Sequence, residues 1–131
     1  MSQFRISEAA DLLGVSADTV RRWADSGRLS AHRDVHGHRS VAGSDLADFV
    51  RDQASTDGAA LSYSSARNRF RGLVTVVTKD TVMAQVEIQA GPHRIVSLMS
   101  REAVNDMGLS VGDVAYAVVK STNVIVEVPS K

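Results

Sequence analysis

Four consecutive residues, Ser65-Ala66-Arg67-Asn68, stand just before a Gly-punctuated β run from Phe70 to Lys79. A second polar cluster, Lys120-Ser121-Thr122-Asn123, falls between two apolar strand patterns near the C-terminus. Each cluster sets a fixed cation among small hydroxyl and amide donors. A compact oxyanion needs that combination, because it must be held by several short hydrogen bonds and partly neutralised. Arg67 and Lys120 would supply the charge, and Ser65 and Ser121 the donors. The plainer alternative is that Arg67 and Lys120 are exposed surface charges and Ser65 a turn residue. No residue is placed as a nucleophile or general base, so the pattern points to binding and not to an enzyme.

A second concentration of chemistry lies near the N-terminus. Between Arg21 and Arg39 there are five Arg and three His against only Asp25 and Asp34. In a chain of zero net charge this is a local contact surface, and no global attraction to nucleic acid is available. His32, His36 and His38 could be read as a metal cluster, but Cys is absent and no carboxylate stands at ligand spacing. Contact with phosphate, or plain exposure, suits them better. Arg28 and Arg51 read as solvated or paired, and Trp23 as core, since it shares a helical face with Val20.

The elements that must position these residues follow from periodicity. Residues 4–13 are expected as a helix capped by Ser7, with Ala9, Ala10, Leu12 and Leu13 on its apolar face and Gly14 as its stop. Ser16 caps a second helix from Ala17 to about Ser26, which Gly27 ends. Leu29–Val35 and Arg39–Val41 read as two short strands joined at His36-Gly37-His38, a β-wing. Ser44 then caps a third helix through Arg51. Helix, Gly-containing turn, helix, wing and closing helix make a winged helix-turn-helix unit over residues 1–53. Residues 52–62 are small and polar and read as a flexible linker, with the domain break placed at 54–62.

From residue 63 to 131 the period becomes two. Leu73–Thr78, Val82–Ala90 and His93–Met99 read as strands, and Ser100 can cap a helix from Arg101 to Met107, stopped by Gly108. Val114–Val119 and Val124–Val128 follow as a fourth and fifth strand. The order β-β-β-α-β-β is that of a small OB-like five-stranded β-barrel with one helix. The fold class expected is therefore α+β. Aromatic residues make up only 5% of the chain, too few for the base-stacking face such barrels use on single strands.

Phe4-Arg5-Ile6-Ser7-Glu8-Ala9-Ala10-Asp11-Leu12-Leu13-Gly14-Val15-Ser16, Thr19-Val20-Arg21-Arg22-Trp23 and Ser26-Gly27-Arg28-Leu29 resemble the winged helix-turn-helix of MerR-like and excisionase-like DNA-binding domains. The resemblance implies that the second helix enters the major groove of double-stranded DNA and the wing reaches toward the backbone. It places Ser16, Thr19, Arg21 and Arg22 on or beside the groove-facing helix, and Arg33, His38 and Arg39 in the wing. Such families usually carry Gly-His-Arg-Arg and an aromatic in the wing, where this chain has Gly37-His38-Arg39-Ser40-Val41.

Ser65-Ala66-Arg67-Asn68 with Gly72, Met83-Ala84-Gln85-Val86, Val96-Ser97-Leu98-Met99-Ser100, Gly108-Leu109-Ser110-Val111-Gly112-Asp113 and Lys120-Ser121-Thr122-Asn123-Val124 resemble a Mop (molbindin, TOBE-type) domain. The resemblance implies a site for molybdate or tungstate at a subunit interface, in a dimer or a hexamer made of three dimers. Its contacts would be Ser65, Arg67, Asn68, Ser100, Arg101, Ala103, Lys120 and Ser121. Ala103 stands where some relatives have Ser, so it offers only its amide. The first turn after Ser100 would present free N–H groups to close the site. The ligand is the oxyanion itself, with no metal ion bound by side chains and no organic cofactor.

Composition narrows the setting. No apolar run approaches the roughly 20 residues of a membrane span, and the polar N-terminus carries no signal-peptide pattern. The absence of Cys excludes disulfides and fits a cytoplasmic protein. Three functions remain open: an oxyanion-responsive transcriptional regulator, an oxyanion store with a DNA-tethering domain, and an architectural DNA protein that uses its second domain only to oligomerise.

Overall fold

The computed structural model describes residues 2–53 and 64–130. The chain divides into two compact units, Met1–Asp57 and Gly58–Lys131. No helix among the described residues is long and apolar enough to cross a membrane.

The first unit begins with a short strand, β1 (Gln3–Arg5), absent from the pattern reading. Helix α1 (Ile6–Leu13) follows, and its N-cap is Arg5, so Ser7 lies inside the helix and does not cap it. Two local terms move the start. Ile6 is buried at the helix start, and Glu8 Oε1 accepts the Arg5 N–H at 3.0 Å, half of a capping box. Gly14 takes φ 69°, a left-handed conformation that lets the Val15 N–H reach back to the Ala10 carbonyl and close the helix. Helix α2 (Ala17–Asp25) starts at the expected cap, where Ser16 Oγ accepts the Thr19 N–H at 3.2 Å.

The wing is the hairpin β2 (His32–Arg33) and β3 (Arg39–Ala42), and β1 joins it to give the order β1-β3-β2. Helix α3 (Gly43–Gln53) closes the unit and extends two residues past Arg51, so the expected linker loses Asp52 and Gln53 to the helix. The rest of that linker lies outside the described residues. The core joins Ile6, Ala9, Ala10, Val20, Leu29, Val41, Leu46 and Phe49, with Phe4 of β1 packed against it. Trp23 packs on Phe49 with ring centroids 4.9 Å apart, as the face shared with Val20 implied.

The second unit is a curled four-stranded antiparallel sheet, β4 (Asn68–Lys79), β5 (Met83–Ala90), β6 (His93–Ser100) and β7 (Val114–Val119), in the order β6-β5-β4-β7. Its 12-residue strand β4 serves two partners: Asn68–Leu73 pair with β7 and Leu73–Lys79 with β5. The register shifts between Val74 and Val76, where Val74 exchanges 2.9 Å bonds with Asp113 and Gly112 instead. A bulge of this kind bends a strand and raises its twist, so the sheet curls. Helix α4 (Arg101–Met107) covers the concave face with Val104, which is fully buried with Val74 and Val86.

One expected element is missing from the single chain. Val124–Val128 pairs with no strand; after a 3-10 turn at Ser121–Asn123 the segment runs exposed, with Ile125 at 87% and Val126 at 82%. β6 and β7 are consequently open edges. An apolar hollow of about 610 Å³ lies between them, lined by Ile95, Met99, Leu109, Val114 and Ala117 among others.

Candidate functional site

In the second unit the polar clusters at Ser65–Asn68 and Lys120–Asn123 meet at one end of the sheet. Asn68 and Val119 are cross-strand partners at the end of the β4–β7 ladder, and Asn68 Nδ2 donates to the Val119 carbonyl at 3.0 Å. That bond ties the Ser65–Asn68 segment to the chain entering Lys120 and Ser121. Ser65, Arg67, Lys120 and Ser121 are exposed there, and among the described residues Arg67 holds a long 3.3 Å bond to the Ser64 carbonyl. Two cations with adjacent hydroxyls and little internal commitment can take up an anion.

The third expected segment lies elsewhere in the same chain. Ser100 pairs with Met83, beside the Lys79 end of β4, while Asn68 is at the opposite end of that 12-residue strand. Ser100 Oγ accepts the Ala103 N–H at 3.1 Å as the cap of α4, and the hydroxyl keeps its own proton to donate. Arg101 turns back to donate to the Asp80 carbonyl at 3.2 Å. One chain therefore gathers Ser65, Arg67, Asn68, Lys120 and Ser121, and leaves Ser100, Arg101 and Ala103 apart from them.

The helix-turn-helix unit offers its own basic surface. Arg21 and Arg22 are exposed on α2, and Thr19, partly covered, bonds Ser16 through its hydroxyl at 2.9 Å. A shallow hollow of about 320 Å³ is lined by Arg5, Ser7, Arg21, Arg33, His38 and Arg39. Arg5 was not anticipated as part of this surface. Its pairing with Ser40, through β1 on β3, brings it there, and three residues of strand are too few to show periodicity. In the free protein the arginines have internal partners: Arg21 with Asp18, Arg22 with Thr19, Arg33 with the Gly37 carbonyl and Arg39 with Asp25.

Asp34 organises the wing tip. Its Oδ1 accepts the N–H groups of His36 at 2.8 Å and His38 at 2.9 Å. The His38 amide is the largest influence and holds the Asp34 carboxyl below its ordinary value of 3.8; desolvation, the next largest, opposes it, and the His36 amide and the charges of His38 and Arg5 add to the lowering. A carboxyl depressed in the folded state contributes order above its unfolded pKa and loses it as pH falls through the folded one. The wing tip is thus expected to be intact at neutral pH and to loosen only below about pH 4. Amide exchange of His36 and His38 measures this: Asp34→Asn should raise it at pH 7, and unchanged exchange would refute the role given to Asp34.

Comparison with known proteins divides the chain in the same place. Residues 64–126 match the model of the TOBE domain, and residues 4–54 that of a helix-turn-helix domain. Molybdenum-pterin-binding protein 3 of Clostridium pasteurianum is 38% identical over 63 residues, 47% of this chain and 93% of that protein. Molybdenum transport protein ModE of Herbaspirillum seropedicae is 36% identical over 63 residues, again 47% of this chain but only 23% of that one. A molybdate binding protein from Sporomusa ovata aligns in structure with TM-score 0.49 and 30% identity, over 50% of this chain and 98% of the other.

Proposed function

Since the chain belongs to the TOBE-domain family through residues 64–126 and carries a helix-turn-helix domain ahead of it, we propose that it is a molybdate- or tungstate-responsive transcriptional regulator that binds double-stranded DNA. The observation that carries the sensing half is the Asn68–Val119 closure, which sets Ser65 and Arg67 beside Lys120 and Ser121. The names of the relatives supply the ligand class: molybdenum compounds. The oxyanion is held directly, with no organic cofactor and no catalytic step.

In this reading residues 1–53 form the DNA-binding domain, 54–62 the linker and 63–131 the sensing domain, in a cytoplasmic protein. Ser16, Thr19, Arg21, Arg22, Arg33 and His38 face DNA. The oxyanion site is completed by Ser100, Arg101 and Ala103 of a second copy, because one chain holds them at the far end of β4. Two open sheet edges and the exposed apolar run after Asn123 support a homo-oligomer, dimer or hexamer, built through the sensing domain. An anion that bridges copies favours one assembly over another, and the spacing of the DNA-binding domains follows it.

A second reading, an oxyanion store with a tethering domain, is favoured by the wing sequence Gly37-His38-Arg39-Ser40-Val41, which lacks the second Arg and the aromatic. Calorimetric titration with molybdate, tungstate and sulfate, coupled to mass measurement and to genomic DNA selection with and without anion, separates the two. Regulation predicts DNA affinity or assembly that changes with molybdate. Identical DNA binding and identical mass in both conditions would leave only the store, and no heat with any anion would end both.

A further inference from the structure

Asp25 ends helix α2 and Arg39 begins strand β3, 14 residues later. Arg39 Nη2 donates to Asp25 Oδ1 at 2.5 Å, joining the end of the groove-facing helix to the base of the wing. The other guanidinium groups on this face bond close by in sequence. Arg21 reaches Asp18 at 2.5 Å and Arg22 reaches Thr19 at 3.2 Å, each three residues away, and Arg33 reaches Gly37 at 2.7 Å, four away. Pairs within one helical turn on an exposed face are weak and readily exchanged for a phosphate. Both partners of the Arg39 pair are also less exposed than those of the Arg21 pair: 27% for Arg39 and 65% for Asp25, against 54% for Arg21 and 86% for Asp18.

Asp25 poses a physical question of its own. A carboxylate on the helix that faces DNA repels phosphate, and its cost must be offset by something it holds in place. We propose that Arg39 is a positioning residue and not a DNA contact: with Asp25 it pins the wing to α2 and sets the angle at which Arg33 and His38 meet the backbone. The inference rests on the DNA-binding reading above, and it reassigns one residue that the resemblance placed among the contacts.

Three variants of the full-length chain test it on a mixed-sequence duplex over a range of salt. Removing a negative charge from a DNA-facing surface should by electrostatics alone tighten binding. A strut predicts the reverse, so Asp25→Asn is expected to weaken binding by roughly 5-fold, while Asp25→Glu, which keeps the carboxylate, retains most of it. Arg39→Ala is expected to weaken binding with no change in the slope of log affinity against log salt, whereas loss of a true phosphate contact lowers that slope by about 0.9. Tighter binding by Asp25→Asn, or a lowered slope in Arg39→Ala, overturns the proposal. A second readout needs no DNA: exchange of the His36 and His38 amides should accelerate in Asp25→Asn, and unchanged exchange also overturns it. If the wild-type chain binds no duplex at all, the DNA reading fails while the exchange measurement still decides the strut.

Discussion

Replacing Gly72 by alanine is expected to lower the melting temperature of the second unit by about 10–20 °C. A Cβ at this position would stand 2.5 Å from Ile88 Cγ2 and 2.7 Å from the Gln89 carbonyl oxygen. The isoleucine can rotate away, but the carbonyl belongs to the β4–β5 ladder and can move only with the strand. Gly72 itself pairs with Ala115 on the other side, so β4 is held between β5 and β7 at the bend. Overpacking of this kind costs about 2–3 kcal/mol, and a domain of this size converts each kilocalorie into about 4–8 °C. The measurement can be confined to one unit, because the single tryptophan, Trp23, belongs to the other. Sheet circular dichroism should melt early while Trp23 fluorescence keeps its transition. A variant that melts with the wild type would mean that the close approach at Gly72 is relieved at little cost.

The second large effect concerns ligand affinity. Arg67→Ala is expected to weaken molybdate binding by about 10–100-fold, the equivalent of one charge-assisted hydrogen bond set of about 1.5–3 kcal/mol. Lys120→Ala should do the same, and the double variant should give no heat in calorimetry. Neither substitution is expected to disturb folding, because both side chains are exposed and the bond Arg67 makes among the described residues, to the Ser64 carbonyl, is a long one. Ser100→Ala would be a poorer probe, since it also removes the cap of α4, worth about 1 kcal/mol. Wild-type affinity in Arg67→Ala would remove the anion site from this end of the sheet.

The sequence made some of these features legible and concealed others, for physical reasons that differ by element. The helix-turn-helix could be read because its punctuation is local: the Ser16 cap and Gly14 are decided within a few residues of themselves. The start of α1 could not, because burial of Ile6 and the Glu8 side chain compete with Ser7, and only packing decides between them. The β run from Phe70 to Lys79 is legible with Gly72 inside it, although periodicity bounds the strand at Leu73–Thr78; the crowding of the backbone at that glycine comes from its neighbours in the sheet. The clusters at Ser65–Asn68 and Lys120–Ser121 were visible as chemistry, yet their adjacency depends on a ladder that spans 51 residues of sequence. The fifth strand shows the opposite limit. Val124–Val128 has the composition of a strand, and composition alone cannot say which chain supplies its neighbour.

That segment also bears on solubility. Val124-Ile125-Val126 is β-branched throughout and exposed, the kind of run that templates indiscriminate cross-β stacking between chains. A chain that leaves it uncovered must limit which neighbours can add to it. Glu127 interrupts the apolar run with a charge, and Pro129 removes a backbone donor just beyond Val128. Growth of a stack is thereby stopped within a few residues, while a single complementary edge of the right length can still be satisfied. In the assembly proposed above such an edge would cover the run, so the protein is then expected to be least prone to aggregate at the concentrations where it assembles, and turbidity that falls on dilution would refute this.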